Sequence, residues 1–216
     1  MYQSYESKFN VVYPESNNAT YVSLMNYSDE LNKPFQRWYR YKEGYSIDLV
    51  RAIIQEYNIN DNGIILDPFM GSGSTLLAAS SLGLKSIGFE VNPFSYFLSR
   101  LKLKNYSKKF VEEFRNTYIR ILNEAKDNTS EFELPKLSTS KNVFDDEIRK
   151  FYMGLKNIIK LDINISDDIR DLLMLGWLSC LEYISNYKKS GNGLKKRKYA
   201  KPRIITIDDI CEMLNI

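Results

Sequence analysis

The stretch Ile64-Ile65-Leu66-Asp67-Pro68-Phe69-Met70-Gly71-Ser72-Gly73-Ser74-Thr75 decides how this chain folds. Its first four residues form a short apolar run suited to a buried parallel strand. The glycine-rich turn that follows opens a helix predicted over residues 74–82, and Gly83 stops that helix as a C-cap would. Ser86-Ile87-Gly88-Phe89-Glu90 reads as a second strand ending in an acid. Asn92 and Pro93 then stand as N-cap and first residue of another helix, running to about Leu103. This order is one βαβα unit of a doubly wound, Rossmann-like sheet, which places the chain in the α/β class.

Upstream, Ser46 caps an amphipathic helix with Asp48 in its first turn and Leu49, Val50, Ile53, Ile54 and Tyr57 on one face. Asn60-Asp61-Asn62-Gly63 ends that unit with a turn. The first 35 residues are polar and rich in Asn and Tyr, with one candidate strand at Phe9 to Tyr13. Downstream the pattern is helical: Phe110, Val111, Phe114, Tyr118, Ile121 and Leu122 recur at helical spacing, as do Ile148, Phe151, Tyr152, Leu155, Ile158 and Ile159. A third helix starts at Ser166 and runs to about Tyr187, and Arg203 to Ile207 is the one further strand candidate. The strand inventory is therefore too short for a complete doubly wound sheet.

Composition narrows the chemistry. No apolar run reaches the roughly 18–20 residues needed to cross a bilayer, so no membrane partner is expected. The N-terminus, Met1 to Phe9, has no apolar segment of the secretory kind, and the cytoplasm is the expected compartment. The two cysteines, Cys180 and Cys211, are too few and too far apart for a metal quartet, and no metal site is expected. The absence of histidine removes the usual general base of hydrolases and the commonest zinc ligand.

The turn after the first strand has the form of a ligand cradle, because glycine lets the backbone approach a bound group where a Cβ would collide. Glu90, seventeen residues beyond Gly73, stands where a carboxylate can accept both ribose hydroxyls of a nucleoside. A phosphate-binding P-loop needs Lys after its last glycine, but Ser74-Thr75 follow Gly73. A dinucleotide fingerprint would place glycine where Leu76 stands, and Asp67 would repel a pyrophosphate. The same acid suits the cationic ammonium and sulfonium end of S-adenosylmethionine.

Residues 67–75, Asp-Pro-Phe-Met-Gly-Ser-Gly-Ser-Thr, closely resemble the DPFxGSGTT motif of DNA amino-methyltransferases, which methylate adenine N6 or cytosine N4; Ser74 replaces a threonine and keeps the hydroxyl. Residues 34–46, Pro-Phe-Gln-Arg-Trp-Tyr-Arg-Tyr-Lys-Glu-Gly-Tyr-Ser, resemble the family element that closes over the methionine end of the cofactor. Ser185-Asn186 and Lys189-Ser190-Gly191-Asn192-Gly193-Leu194 are similar to a basic loop in one subgroup. The resemblance implies S-adenosyl-L-methionine as cofactor and DNA as partner. It implies that Asp67, Pro68, Phe69, Gly71, Ser72 and Gly73 form the methionine-end cradle, that Glu90 holds the ribose, and that Val91 or the Pro93-Phe94 pair packs on the adenine. Phe94, Tyr96 and Phe97 otherwise read as helix core.

The family also uses an Asp/Ser/Asn-Pro-Pro-aromatic motif to accept the amine protons and stack on the flipped base. The six prolines here, Pro14, Pro34, Pro68, Pro93, Pro135 and Pro202, include no adjacent pair, so no catalytic residue is assigned. With the strand shortage, this describes the cofactor-binding part of a split or truncated enzyme that needs a second subunit. The expected division is a partial cofactor-binding domain over 1–105, a helical region over 106–187, and a basic loop with the C-terminal segment over 188–216. Competing readings are a non-catalytic cofactor- or nucleic-acid-binding module, a gene relic, and a component of an RNA methyltransferase.

Net charge is only +3, yet Lys188, Lys189, Lys195, Lys196, Arg197, Lys198, Lys201 and Arg203 stand between Tyr187 and Arg203 without an acid. The rest of the chain is accordingly net negative. Lys188, Lys189, Lys195, Lys196, Arg197 and Lys198 are the expected DNA-backbone contacts, carried on a mobile loop.

Overall fold

A computed structural model describes residues 33–41, 44–59, 63–127, 143–190 and 193–197. The strand candidates at Phe9 to Tyr13 and Arg203 to Ile207 lie outside these residues. The chain divides into two compact units, 1–103 and 104–216.

In the first unit a 3-10 turn, Gln36–Trp38, precedes α1 (Ile47–Glu56), β1 (Ile64–Asp67), α2 (Ser74–Ser81), β2 (Lys85–Gly88) and α3 (Pro93–Lys102). Local chemistry sets each boundary. Ser46 Oγ accepts from the backbone N–H groups of Asp48 and Leu49 at the start of α1. Gly83 follows α2 with φ of +73°. Asn92 Oδ1 accepts from Phe94 and Ser95 N–H at the start of α3, with Pro93 at the first helical position. The second strand begins one residue before the expected Ser86 and ends at Gly88, leaving Phe89 and Glu90 just past its carboxyl end.

β1 and β2 pair in parallel, Ile64 opposite Lys85 and Asp67 opposite Gly88. Ile65 packs against Ile47, Val50, Ile54, Ala78, Ala79 and Leu84, contributed by α1, α2 and the turn before β2. Side chains alternate along a strand, so Ile64, Leu66, Ile87 and Phe89 share the opposite face, and all four are exposed, Leu66 by 61%. Parallel sheets ordinarily carry helices on both faces. Among the described residues of this unit, one layer is present.

The second unit packs α4 (Lys108–Asp127), α5 (Asp146–Leu161) and α6 (Asp167–Ile184) around one core that includes Ile121, Phe151, Tyr152, Ile159, Ile169 and Trp177. Tyr152 and Trp177 stack with ring centroids 5.0 Å apart. Each also donates to the other's backbone carbonyl: the Tyr152 hydroxyl to Trp177, and the Trp177 indole to Tyr152 at 2.8 Å. Both polar tips are thereby satisfied inside an apolar core. Burial holds the Tyr152 phenol well above its ordinary range and pushes the Cys180 thiol up to about 11. No helix among the described residues is long and apolar enough to cross a membrane.

The segment expected as a basic loop is instead a hairpin over its described part: β3 (Tyr187–Ser190) pairs antiparallel with β4 (Gly193–Lys196). Periodicity missed it because the strands are short and mostly cationic, without an apolar face.

Candidate cofactor-binding site

Asp67 ends β1 with its carboxylate buried. Oδ1 accepts from Phe69 N–H at 3.0 Å, while Oδ2 accepts from the Tyr45 hydroxyl at 2.8 Å and the Thr75 hydroxyl at 2.5 Å. These donors satisfy a charge that would be costly to bury alone, and they tie together the strand end, the turn and the first residues of α2. Burial raises the Tyr45 pKa above its ordinary value, the Thr75 hydrogen bond lowers it in part, and Asp67 raises it again. Tyr45 therefore stays a proton donor to Asp67 throughout the neutral range. This contribution to stability is complete below about pH 10 and is lost as alkalinity ionises the phenol.

Between Asp67 and α2 the backbone turns through Gly71 at φ +51° and Gly73 at φ +84°. A Cβ on Gly73 would lie 2.9 Å from Ser99 Cβ of α3, so both conformation and space demand glycine. The turn is stitched to the end of β2: Phe89 N–H donates to Asp67 carbonyl at 2.9 Å, and Met70 N–H to Phe89 carbonyl at 3.1 Å. Met70 is buried here, where its sulfur would lie 2.5 Å from any Cβ placed on Gly88.

The upstream segment packs onto this turn. The Tyr41 ring lies over Gly71, 3.3 Å from where its Cβ would stand. Tyr39 meets Phe94 edge to face with centroids 4.6 Å apart, and Gln36 donates to Ser74 Oγ at 3.0 Å. Phe94 and Phe97 are half-buried, whereas Tyr96 is exposed.

The residues singled out from sequence gather at the carboxyl ends of the two strands. Asp67, Ser72 and Gly73 are buried, Gly71 and Glu90 are half-buried, and Pro68 is exposed. Phe69 and Val91 project into solvent, 86% and 98% exposed. Glu90 Oε1 accepts from Asn92 N–H at 2.7 Å, and Oε2 takes no hydrogen bond among the described residues. A buried anion, a positive-φ glycine turn, a half-buried carboxylate and two exposed apolar side chains at the ends of parallel strands fit a nucleoside-bearing cation. Sequence reasoning missed Gln36, Tyr45, Thr75 and Lys102; Tyr45 and Gln36 lie in the quoted 34–46 stretch, but nothing local identified their partners.

A family model described as DNA methylase, of the N6/N4 type, matches residues 15–100, which take in the glycine turn, Glu90 and most of the upstream segment. This match supports the resemblance to the DNA amino-methyltransferase family over these residues. Enzymes of this family depend on S-adenosylmethionine. The Type II methyltransferase M.BsoBI of Geobacillus stearothermophilus is 32% identical over 175 residues, which is 80% of this chain and 33% of that protein. The Type II methyltransferase M.AvaI of a Nostoc species is 28% identical over 192 residues, 82% of this chain and 37% of that protein. The chain thus spans about a third of the length of these methyltransferases. A tRNA (guanine(10)-N2)-dimethyltransferase of Methanocaldococcus jannaschii is 28% identical over 97 residues, 39% of this chain and 28% of that protein. No solved structure matches.

The basic hairpin sets Lys188 opposite Lys195, with Lys188, Lys195 and Lys196 exposed. Like charges facing each other across a strand pair are unfavourable in isolation. Arg197 is engaged differently: its guanidinium donates to the carbonyls of Glu182 at 2.9 Å and Ser185 at 3.2 Å, fastening the hairpin to the end of α6. Lys198 lies outside the described residues, and Lys189 is placed by its backbone only.

Gly73→Ala should cost the first unit roughly 1–3 kcal/mol, from positive φ and the collision with Ser99. Chemical unfolding followed beside S-adenosylmethionine titration checks this: stability falls and binding is lost. A variant with unchanged stability and affinity would contradict the packing described.

Proposed function

We propose that this chain is the S-adenosylmethionine-binding component of a DNA (adenine-N6 or cytosine-N4) methyltransferase, built on part of a Rossmann-like sheet. The observation that carries this reading is the convergence of buried Asp67, the positive-φ glycine turn and Glu90 at the carboxyl ends of parallel strands. Asp67 supplies negative potential beside the methionine ammonium and sulfonium, and Glu90 Oε2 is available to the ribose hydroxyls. Phe69 and Val91 offer apolar surface to the cofactor. When bound, S-adenosylmethionine supplies an electrophilic methyl group. The chain's residues bind and orient that donor.

Transfer to an exocyclic amine further needs acceptors for the amine protons and a stacking platform for the base. The sequence has no Pro-Pro-aromatic motif to provide them. Among the described residues the parallel sheet has two strands and an exposed apolar face, and these with the greater length of the related methyltransferases support a requirement for further polypeptide carrying that motif. The likeness to a tRNA dimethyltransferase favours an RNA methyltransferase component as second reading. Competition between duplex DNA and RNA separates the two.

The hairpin lysines Lys188, Lys195 and Lys196 contact phosphates in this reading and position the enzyme without choosing sequence. Replacing all three by Ala should flatten the log–log salt dependence of DNA binding by about 3, roughly one unit per cation. An unaltered slope removes the hairpin from the DNA interface.

Mixing the chain with S-adenosylmethionine, duplex DNA and a polypeptide bearing the Pro-Pro-aromatic motif from the same restriction–modification locus should yield DNA methylation that neither chain gives alone. Continued inactivity of a mixture in which both chains are folded counts against a component role.

A further inference from the structure

Lys102, the last residue of α3, is 1% exposed, although lysine is almost never fully buried without partners. Its ammonium donates to Gln36 Oε1 at 2.7 Å and to the Ser72 carbonyl at 3.2 Å. Gln36 is 0% exposed, and its amide donates in turn to Ser74 Oγ. One buried chain of hydrogen bonds therefore runs from α3 through the 3-10 turn to both neighbours of Gly73. Ser99, one helical turn before Lys102, packs against Gly73 itself. The glycine turn is thus held on one side by a van der Waals contact at Gly73 and by polar contacts at Ser72 and Ser74. Phe35 adopts φ of +62°, a conformation that bulky side chains rarely take, immediately before Gln36. The chain accepts that strain where Gln36 enters the buried network.

We infer that Lys102 and Gln36 are positioning residues for the cofactor: they fix the glycine turn in its receptive conformation and couple it to the segment over residues 34–41. Neither touches a reacting atom. Their effect is transmitted through Ser72 and Ser74, whose backbone carries the turn. In a low-dielectric interior these hydrogen bonds are strong, and removing one partner leaves the others unsatisfied. The role rests on the proposal that this turn binds S-adenosylmethionine; Lys102 lies outside both family-like stretches, and Gln36 lies within residues 34–46 without a role assigned by the resemblance.

The test uses the full chain with Lys102→Met, Gln36→Leu and Gln36→Glu, the last of which keeps an acceptor for Lys102 and for the Ser74 hydroxyl. Three readouts are compared: S-adenosylmethionine affinity by calorimetry, amide hydrogen exchange at Gly71 and Gly73, and exchange within α5 as a control. Lys102→Met and Gln36→Leu should each weaken binding about tenfold and speed exchange at the turn at least tenfold, with α5 unchanged. Gln36→Glu should stay close to the wild type. Because the two residues share a bond, the double variant Lys102→Met/Gln36→Leu should lose less than the sum of the single losses. Turn exchange and affinity unchanged in folded Gln36→Leu would overturn the inference, as would Gln36→Glu failing like Gln36→Leu. If the wild-type chain binds no S-adenosylmethionine, the functional reading fails, while turn exchange still decides whether the network positions the turn.

Discussion

Everything in the first unit depends on how the Asp67 carboxylate is held. It lies buried at the end of β1, and Phe69 N–H, Tyr45 and Thr75 converge on its two oxygens. Each donor belongs to a different piece of chain: the turn, the stretch before α1 and the first turn of α2. Satisfying one charge therefore assembles the site and keeps a negative potential beside the open turn. On the other side, Ser99 and Lys102 of α3 fix the turn from beneath. Glycines at 71 and 73 let the turn accept these neighbours, with the Tyr41 ring over one and Ser99 against the other.

The two units divide the work. The first gathers the features of a cofactor site at the ends of two parallel strands. The second builds an independent helical core, sealed by the reciprocal Tyr152–Trp177 pair, and carries a cationic hairpin at the end of α6. Arg197 caps that helix and anchors the hairpin, which leaves exposed lysines as the charged surface. Ile64, Leu66, Ile87 and Phe89 are exposed on one face of the first unit's sheet, which carries no helical layer among the described residues of that unit.

Much of this was legible in the sequence because it is local. Ser46, Asn92 and Ser166 cap helices with hydrogen bonds to N–H groups two or three residues away, and these residue types announce that geometry. The β1–turn–α2 passage was equally plain, since an apolar run, two closely spaced glycines and a helical pattern follow one another directly. Long-range contacts left no such mark. Lys102 resembles a surface lysine in the last turn of a helix, and its partners stand 66 and 30 positions away. Tyr45 and Thr75 looked ordinary until folding brought them to one oxygen. The hairpin was hidden for another reason: cations on both strands carry no hydrophobic period, so only backbone pairing defines it.

The carboxyl ends of β1 and β2 are where S-adenosylmethionine is proposed to bind. Titrating isotope-labelled chain with S-adenosylmethionine and mapping amide chemical shifts tests it most directly. Binding there gives saturable shifts concentrated at Phe69, Gly71, Gly73, Glu90 and Val91, with α4, α5 and α6 unmoved. Shifts absent at millimolar cofactor, or clustered in the helical unit instead, would contradict it.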